Sequence, residues 1–195
     1  LTPPGTGGYT ARAAVPTDFA EARRLLAEAG FPEGRGFPAV ELQVRNDPDQ
    51  PRVAEVLQAR WREELGVAVG LLQVEQKTWI RNQQALDYTL STGGWIGDFV
   101  DPATFLDLFV GGGGNNWTGW GDAAYDDLLA RAARAPDPAS RLELFQQAEA
   151  RLLEEAPVAP LFFGARNFLV HPAVRGWEAS LLGPQQYKRV YLAAP

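Results

Sequence analysis

Residues 40–74 read VELQVRNDPDQPRVAEVLQARWREELGVAVGLLQV and change hydrophobic period twice. Val40, Leu42 and Val44 alternate with Glu41 and Gln43, as a half-buried strand requires. The turn-forming NDPDQP follows, after which Val53, Leu57, Trp61 and Leu65 recur every four residues until Gly66. Val67 to Val74 is strand-like again, and its apolar phase shifts at Gly70, which predicts a bulge there or a strand buried on both faces. Strand, helix and strand in this order predict a βαβ unit with parallel pairing, because two parallel strands need a crossover of about this length. The predicted class is therefore α/β rather than α+β.

The same reading extends outward in both directions. The opening LTPPGTGGYT carries turn chemistry and reads as a lead-in. Asp18-Phe19-Ala20-Glu21 has capping-box spacing, and Phe19, Ala22, Leu26 and Ala29 recur helically before Gly30 and Pro32 stop the pattern. Downstream, residues 77–86 predict a short helix and residues 87–92 a strand that runs straight into GGWIGDFVDP, residues 93–102. Ligands of open α/β sheets bind in the crevice beyond strand carboxyl ends. Asp101-Pro102 then reads as an N-cap and first helical residue, with Phe105, Leu106 and Phe109 on the buried face. GGGGNN breaks the chain but lacks the Lys-Ser/Thr of a phosphate loop, so it is read as a surface loop. Helices are predicted from Asp122, with Leu128, Leu129 and Ala132 inward, and from Asp137-Pro138, with Leu142, Phe145, Ala148 and Leu152 inward. Residues 158–163 and 167–170 read as strands, and the stretch after Val174 is aromatic but irregular.

Composition narrows the function classes. A net charge of −6 with no Lys/Arg cluster argues against nucleic acid as a partner. The absence of cysteine removes disulfides and thiolate metal sites. No uninterrupted apolar run is long enough to cross a bilayer. The chain has no methionine and opens on Leu1, which leads to the expectation of a processed chain or fragment.

Few residues carry chemistry. His171 is the single histidine and lies beside Pro172 with no nucleophile motif, so it reads as a surface residue. Asp122, Asp126 and Asp127 lack calcium-loop spacing and read as a solvated helix start; no metal or cofactor is expected. Asp98 and Asp101 resemble a carboxylate pair for glycoside hydrolysis with Trp95 as a sugar platform, yet both stand on one tight loop and Asp101 has the simpler role of a cap. Asp98 alone fits a second chemistry, in which a carboxylate and an indole together receive an ammonium. Against that stands a structural role, with Asp98 accepting backbone amides in a turn and Trp95 filling the core.

GWIGDFVDPATFL, NNWTGWGDAAYDDLLARA and RLELFQQAEARLLEEAPVAPLFF, preceded by DFAEARRLLAEAGFP, resemble in order the carboxyl-terminal part of the oligopeptide and dipeptide solute-binding proteins of ABC importers. The resemblance spans nearly the whole chain. It implies a periplasmic-binding-protein-like lobe with a mixed, largely parallel sheet flanked by helices. Residues 1–16 would lead in from a missing amino-terminal lobe, 17–163 form the second, ligand-binding lobe, and 164–195 return to the first. Such proteins close over a ligand and pass it to a membrane permease, outside the cytoplasm as periplasmic or lipid-anchored receptors, and are not enzymes.

The resemblance also implies site residues. Asp98 matches the aspartate that pairs with a peptide's α-ammonium, and Trp95, Ile96 and Gly97 stand where the first peptide residues are met. The basic residue that some members place just before Gly-Trp is replaced here by Leu90-Ser91-Thr92-Gly93, which leaves ligand length open and makes Arg45 a possible substitute for meeting a carboxylate. The family also contains receptors for nickel chelates, sugars and other solutes, so an oligosaccharide receptor using Trp95, Trp117 and Trp120 is the alternative; for Trp117 and Trp120, packing around the glycine loop is the preferred role.

Overall fold

The computed structural model describes residues 1–179 and 187–193. They form two compact units. One comprises Pro16–Gly94 with Trp117–Gly119; the other comprises Leu1–Val15, Trp95–Asn116 and the chain from Trp120 onward.

The first unit is built on a parallel sheet. Helix α1 (Phe19–Glu28) starts where the Asp18 carboxylate accepts the amides of Ala20 and Glu21, while Glu21 turns to Arg24 at 2.6 Å rather than back to the cap. None of its residues is fully buried; Leu26 lies half-buried against the core. Strand β1 (Val40–Arg45), helix α2 (Gln50–Leu65) and strand β2 (Val69–Val74) form the expected βαβ unit, with Val40 opposite Val69 and Arg45 opposite Val74. Pairing runs unbroken through Glu41 and Gly70, so β2 has no bulge. Nor is it buried on both faces: Val69 and Leu71 face inward while Gly70 and Leu72 are exposed. A Cβ on Gly70 would lie 3.2 Å from Cγ of the exposed Glu41 side chain, a close cross-strand contact, and the apparent phase shift is an exposed leucine.

Helix α2 stops at Gly66, whose φ of +68° is left-handed and whose Cβ would stand 2.3 Å from the Glu33 carbonyl oxygen. Helix α3 (Gln76–Ala85) is capped by Glu75, which accepts the Lys77 amide at 2.8 Å. Strand β3 is confined to Leu90–Ser91, parallel to β1, and is shorter than predicted. Leu86 takes a left-handed conformation and the Asp87 amide donates to Asn82 at 2.8 Å, so the chain that was expected to open the strand instead closes α3. The sheet order is β2-β1-β3, and its core is Leu42, Val44, Ala54, Val67 and Val69 with Leu57, Trp61 and Leu65 packed around them. At the end of β1 a polar network takes over. Gln43 accepts from Asn82 at 2.6 Å, Gln83 donates to Ser91 Oγ at 2.6 Å, and the Trp79 indole donates to the Thr92 carbonyl at 3.2 Å.

The second unit is helical. Helix α4 (Ala103–Leu106) runs on into a 3-10 turn over Asp107–Phe109; α5 (Ala123–Ala132) and α6 (Pro138–Glu155) begin at Asp122 and Asp137, whose carboxylates accept the amides of Tyr125 at 2.7 Å and Ser140 at 2.9 Å. Leu106, Phe109, Tyr125, Leu129, Phe145, Ala148 and Leu152 form the core, joined by Tyr9 from the amino-terminal segment. Glu149 faces the same interior from α6, fully buried, and accepts the Thr2 amide at 2.8 Å and the Thr2 and Tyr9 hydroxyls at 2.9 Å each. Residues 158–163 and 167–170 form no strand, because no described segment pairs with them. A short antiparallel pair does form, between β4 (Val174–Arg175) and β5 (Tyr191–Leu192). Among the described residues no helix is long and apolar enough to cross a membrane.

Candidate functional site

The chain leaves β3 through Thr92, Gly93 and Gly94 and enters the second unit at Trp95. From there to Val100 the side chains look outward: Trp95 is 38% exposed, Ile96 61%, Phe99 49% and Val100 48%. Asp98, itself exposed, stands among them. This is not a tryptophan filling a core. Nor does the Asp98 carboxylate serve a turn: among the described residues it has no hydrogen-bond or ion-pair partner. The backbone groups of residues 93–97 are likewise unbonded among the described residues, although Thr92 still joins β1 through Gln43.

One hydrogen bond fixes the aspartate from behind. Its backbone amide donates to the hydroxyl of Thr104 at 2.9 Å, and Thr104 is 5% exposed in the first turn of α4. Half-buried Gly97 allows this approach, since a Cβ there would stand 2.9 Å from Thr104 Cγ2 and 3.1 Å from Phe105 Cζ. The loop is therefore seated on α4 by its backbone, leaving the carboxylate to solvent.

Asp101 has a different fate. It caps α4 by accepting the Ala103 amide at 2.9 Å, and forms a bidentate pair with Arg141 of α6 at 2.6 and 2.8 Å. Partial burial opposes its ionisation, but the Arg141 guanidinium and the Ala103 amide outweigh that and hold its carboxyl below the usual range. Asp101 is thus committed to Arg141, and the two carboxylates of the loop are not assembled as an acid–base pair.

The other sequence candidates find structural partners. Arg45, in the sheet unit, lies 3.4 Å from Asp47 and 5.4 Å above the Trp79 ring, and the Gln50 side-chain amide, in the orientation that satisfies both Arg45 and Thr92, turns its oxygen to Arg45 at 2.7 Å. Trp117 packs edge-on against Trp79 at 6.1 Å while its carbonyl accepts the Tyr88 hydroxyl; Trp120 packs against Tyr125 at 5.1 Å. Both tryptophans support loops. His171 is exposed and its Nδ1 accepts the Ala173 amide at 3.1 Å. Asp122 pairs with Arg151 at 2.5 Å, Asp126 accepts the Gly111 amide at 3.0 Å, and Asp127 meets Arg131 at 3.3 Å, so the three acids disperse. A surface depression of about 440 Å³ lies between α5 and α6 around Leu128 and Ala150, and Asp98 is not among the residues that line it.

Sequence reasoning missed Thr104 and Arg141. The first was signalled by a short side chain just inside a predicted helix start; the second, 40 residues beyond Asp101, had no local signal.

Ligands of open α/β sheets bind beyond strand carboxyl ends, and in this chain the segment that follows β3 leads into an exposed loop with one free carboxylate and an apolar rim. The chain belongs to the bacterial extracellular solute-binding proteins, family 5, whose middle region matches residues 1–117. It is similar to the oligopeptide-binding protein OppA of Bacillus subtilis (strain 168), 32% identical over 167 residues, 85% of this chain and 31% of the relative. The dipeptide-binding protein DppE of the same organism is 34% identical over 158 residues, 80% of this chain and 29% of the relative. The solved structure of the Escherichia coli murein tripeptide binding protein MppA superposes with a TM-score of 0.85 at 26% identity, covering 100% of this chain and 40% of that one. The chain spans about a third of the length of the curated relatives it matches.

Proposed function

We propose that this chain is the ligand-binding lobe of a receptor that captures oligo- or dipeptides for an ABC importer, with Asp98 pairing with the peptide's α-ammonium. One observation carries the reading. Asp98 is an exposed carboxylate without a partner among the described residues, on a loop whose backbone is held by Thr104 and whose rim is Trp95, Ile96, Phe99 and Val100. An ammonium brought there forms a charge-assisted hydrogen bond, strengthened as apolar neighbours exclude water. Residues 95–97, which precede it in the same unit, offer backbone groups unbonded among the described residues, which suit an extended peptide bound through its main chain. Recognition through the amino end and backbone leaves side chains free to vary. Arg45 is assigned at most a secondary role toward a carboxylate, since its guanidinium already serves Asp47, Gln50 and the Trp79 ring.

In this reading residues 164–195, of which 180–186 and 194–195 lie outside the described residues, return to a first lobe, a reading supported by the exposure of Phe168, Leu169, Tyr187 and Tyr191. The receptor acts outside the cytoplasmic membrane, as family membership suggests, closes over its ligand and delivers it to the permease. The test is Asp98→Asn in the whole polypeptide that carries this sequence, with tripeptide affinity followed by calorimetry. Loss of about 2 kcal/mol, roughly thirtyfold, is expected; unchanged affinity refutes the assignment.

A further inference from the structure

We propose that Arg141 and Gly7 are positioning residues for the ligand loop, holding Val100-Asp101 from two sides so that Asp98 alone meets the ligand's cation. The inference rests on the reading of Asp98 given above and adds the machinery that makes it work.

Arg141 approaches from α6. Its two terminal nitrogens reach both oxygens of Asp101, at 2.6 and 2.8 Å, and its guanidinium carbon lies 4.6 Å from the centre of the Phe145 ring. Phe145 is 2% exposed, so the guanidinium rests on a buried ring while its fork faces Asp101. Gly7 approaches from the amino-terminal turn, where the Gly5 amide donates to the Tyr9 carbonyl at 2.7 Å. Tyr9 is 1% exposed and its hydroxyl donates to Glu149 of the same helix, α6. The φ of Gly7 is +57°, and a Cβ there would meet the Val100 carbonyl oxygen at 3.0 Å and Asp101 Cα at 3.3 Å. Thus α6 anchors both supports, one directly and one through Tyr9. Between Asp101 and Asp98 stand only Phe99 and Val100, whose side chains face outward while the Phe99 carbonyl accepts the Asp101 amide at 3.0 Å.

The pair has a second consequence. Asp101 saturated by a bidentate arginine cannot compete for an ammonium, so one carboxylate of the loop stays available. Freed from Arg141, it offers a second, misplaced counter-charge and a looser backbone.

The experiment uses the whole polypeptide that carries this sequence and a tripeptide library with free amino ends, alongside the same library N-acetylated. Bound peptides are quantified by mass spectrometry and folding is followed by thermal melting. The wild type is expected to prefer free amines, and Asp98→Asn to abolish the preference. Arg141→Gln is expected to reduce it about tenfold, equivalent to ~1.4 kcal/mol, with part of the loss restored by Arg141→Lys. Gly7→Ala, displacing the loop from the other side, is expected to reduce it as well, and supplies the reading if Arg141→Gln melts. If Asp98→Asn removes the preference while Arg141→Gln and Gly7→Ala keep it, or weaken both libraries equally, the positioning role is overturned and the Asp98 reading stands. A preference that survives Asp98→Asn, or a wild type that retains no peptide, overturns the Asp98 reading and this inference together.

Discussion

The backbone amide of Asp98 donates to the hydroxyl of Thr104 at 2.9 Å, so the residue offered to a ligand is held by its main chain and not by its carboxylate. Thr104→Val keeps the shape of this buried side chain and removes the acceptor. Stability is expected to fall by about 1 kcal/mol, and amide exchange at Asp98 to accelerate while that of Leu106 is unchanged. Hydrogen exchange read residue by residue checks both.

Glu149 is the buried counterpart, a carboxylate that accepts from the Leu1 nitrogen at 2.6 Å, the Thr2 amide and the Thr2 and Tyr9 hydroxyls. Glu149→Gln presents an amide nitrogen to groups that are themselves donors and leaves at least one of them unpaired. A loss of about 3 kcal/mol is expected, measured as a lowered urea midpoint at unchanged slope.

Alkaline pH acts on the same core. Burial, reinforced by the Glu149 charge, pushes the Tyr9 phenol well above its ordinary value of 10.0, and burial with the Asp107 charge does so for Tyr125. Below that value both folded and unfolded chains keep the proton; above it the unfolded chain releases a proton that the native state retains. Stability is therefore expected to be lost as pH rises beyond about 10, by about 1.4 kcal/mol per pH unit for each tyrosine. Urea midpoints against pH, with tyrosinate absorbance, provide the check, and Tyr9→Phe should remove one share of the slope.

At acid pH the sign reverses. Asp122 is lowered to about 2, first by its hydrogen bonds to Arg151 and then by the Tyr125 amide. Its stabilising contribution is present above the ordinary carboxyl range and is lost as pH falls toward 2. Carbon-detected NMR titration of Asp122 is expected to shift upward in Arg151→Gln.

Two glycines separate backbone necessity from open space. Gly66→Ala places a side chain at a φ of +68° and against the Glu33 carbonyl, 2.3 Å away. A loss of about 2 kcal/mol or more is expected. Gly93 has nothing within 4 Å, so Gly93→Ala should stay within about 0.5 kcal/mol of wild type. Thermal melting of the two variants tests the contrast.

Much of this fold was legible because its signals are local. Asp18, Asp122 and Asp137 announced helix starts, since a cap needs only the amides two or three residues on; Gly66 announced an end because only glycine closes a helix left-handed without strain. The alternation of Val40, Leu42 and Val44 predicted β1 for the same reason. What failed depended on partners. Residues 158–163 and 167–170 have strand-like composition but no described strand beside them, and β3 shrank because α3 used its first residues to close. Glu149 broke the apolar stripe of α6 and gave no hint that Thr2 and Tyr9, about 140 residues away, satisfy it.

The same division runs through GGWIGDFVDP. Sequence by itself determined the α/β class, the loop at a strand's exit and the capping role of Asp101, all of which rest on periodicity, spacing and neighbouring amides; the family rested on the resemblance of its motifs. Only the tertiary structure decided that Arg141 engages Asp101 while Asp98 is left without a partner among the described residues. That choice depends on closing a 40-residue stretch of chain and on packing α6 against α4, and no local pattern encodes a contact whose two halves are brought together by a shared core.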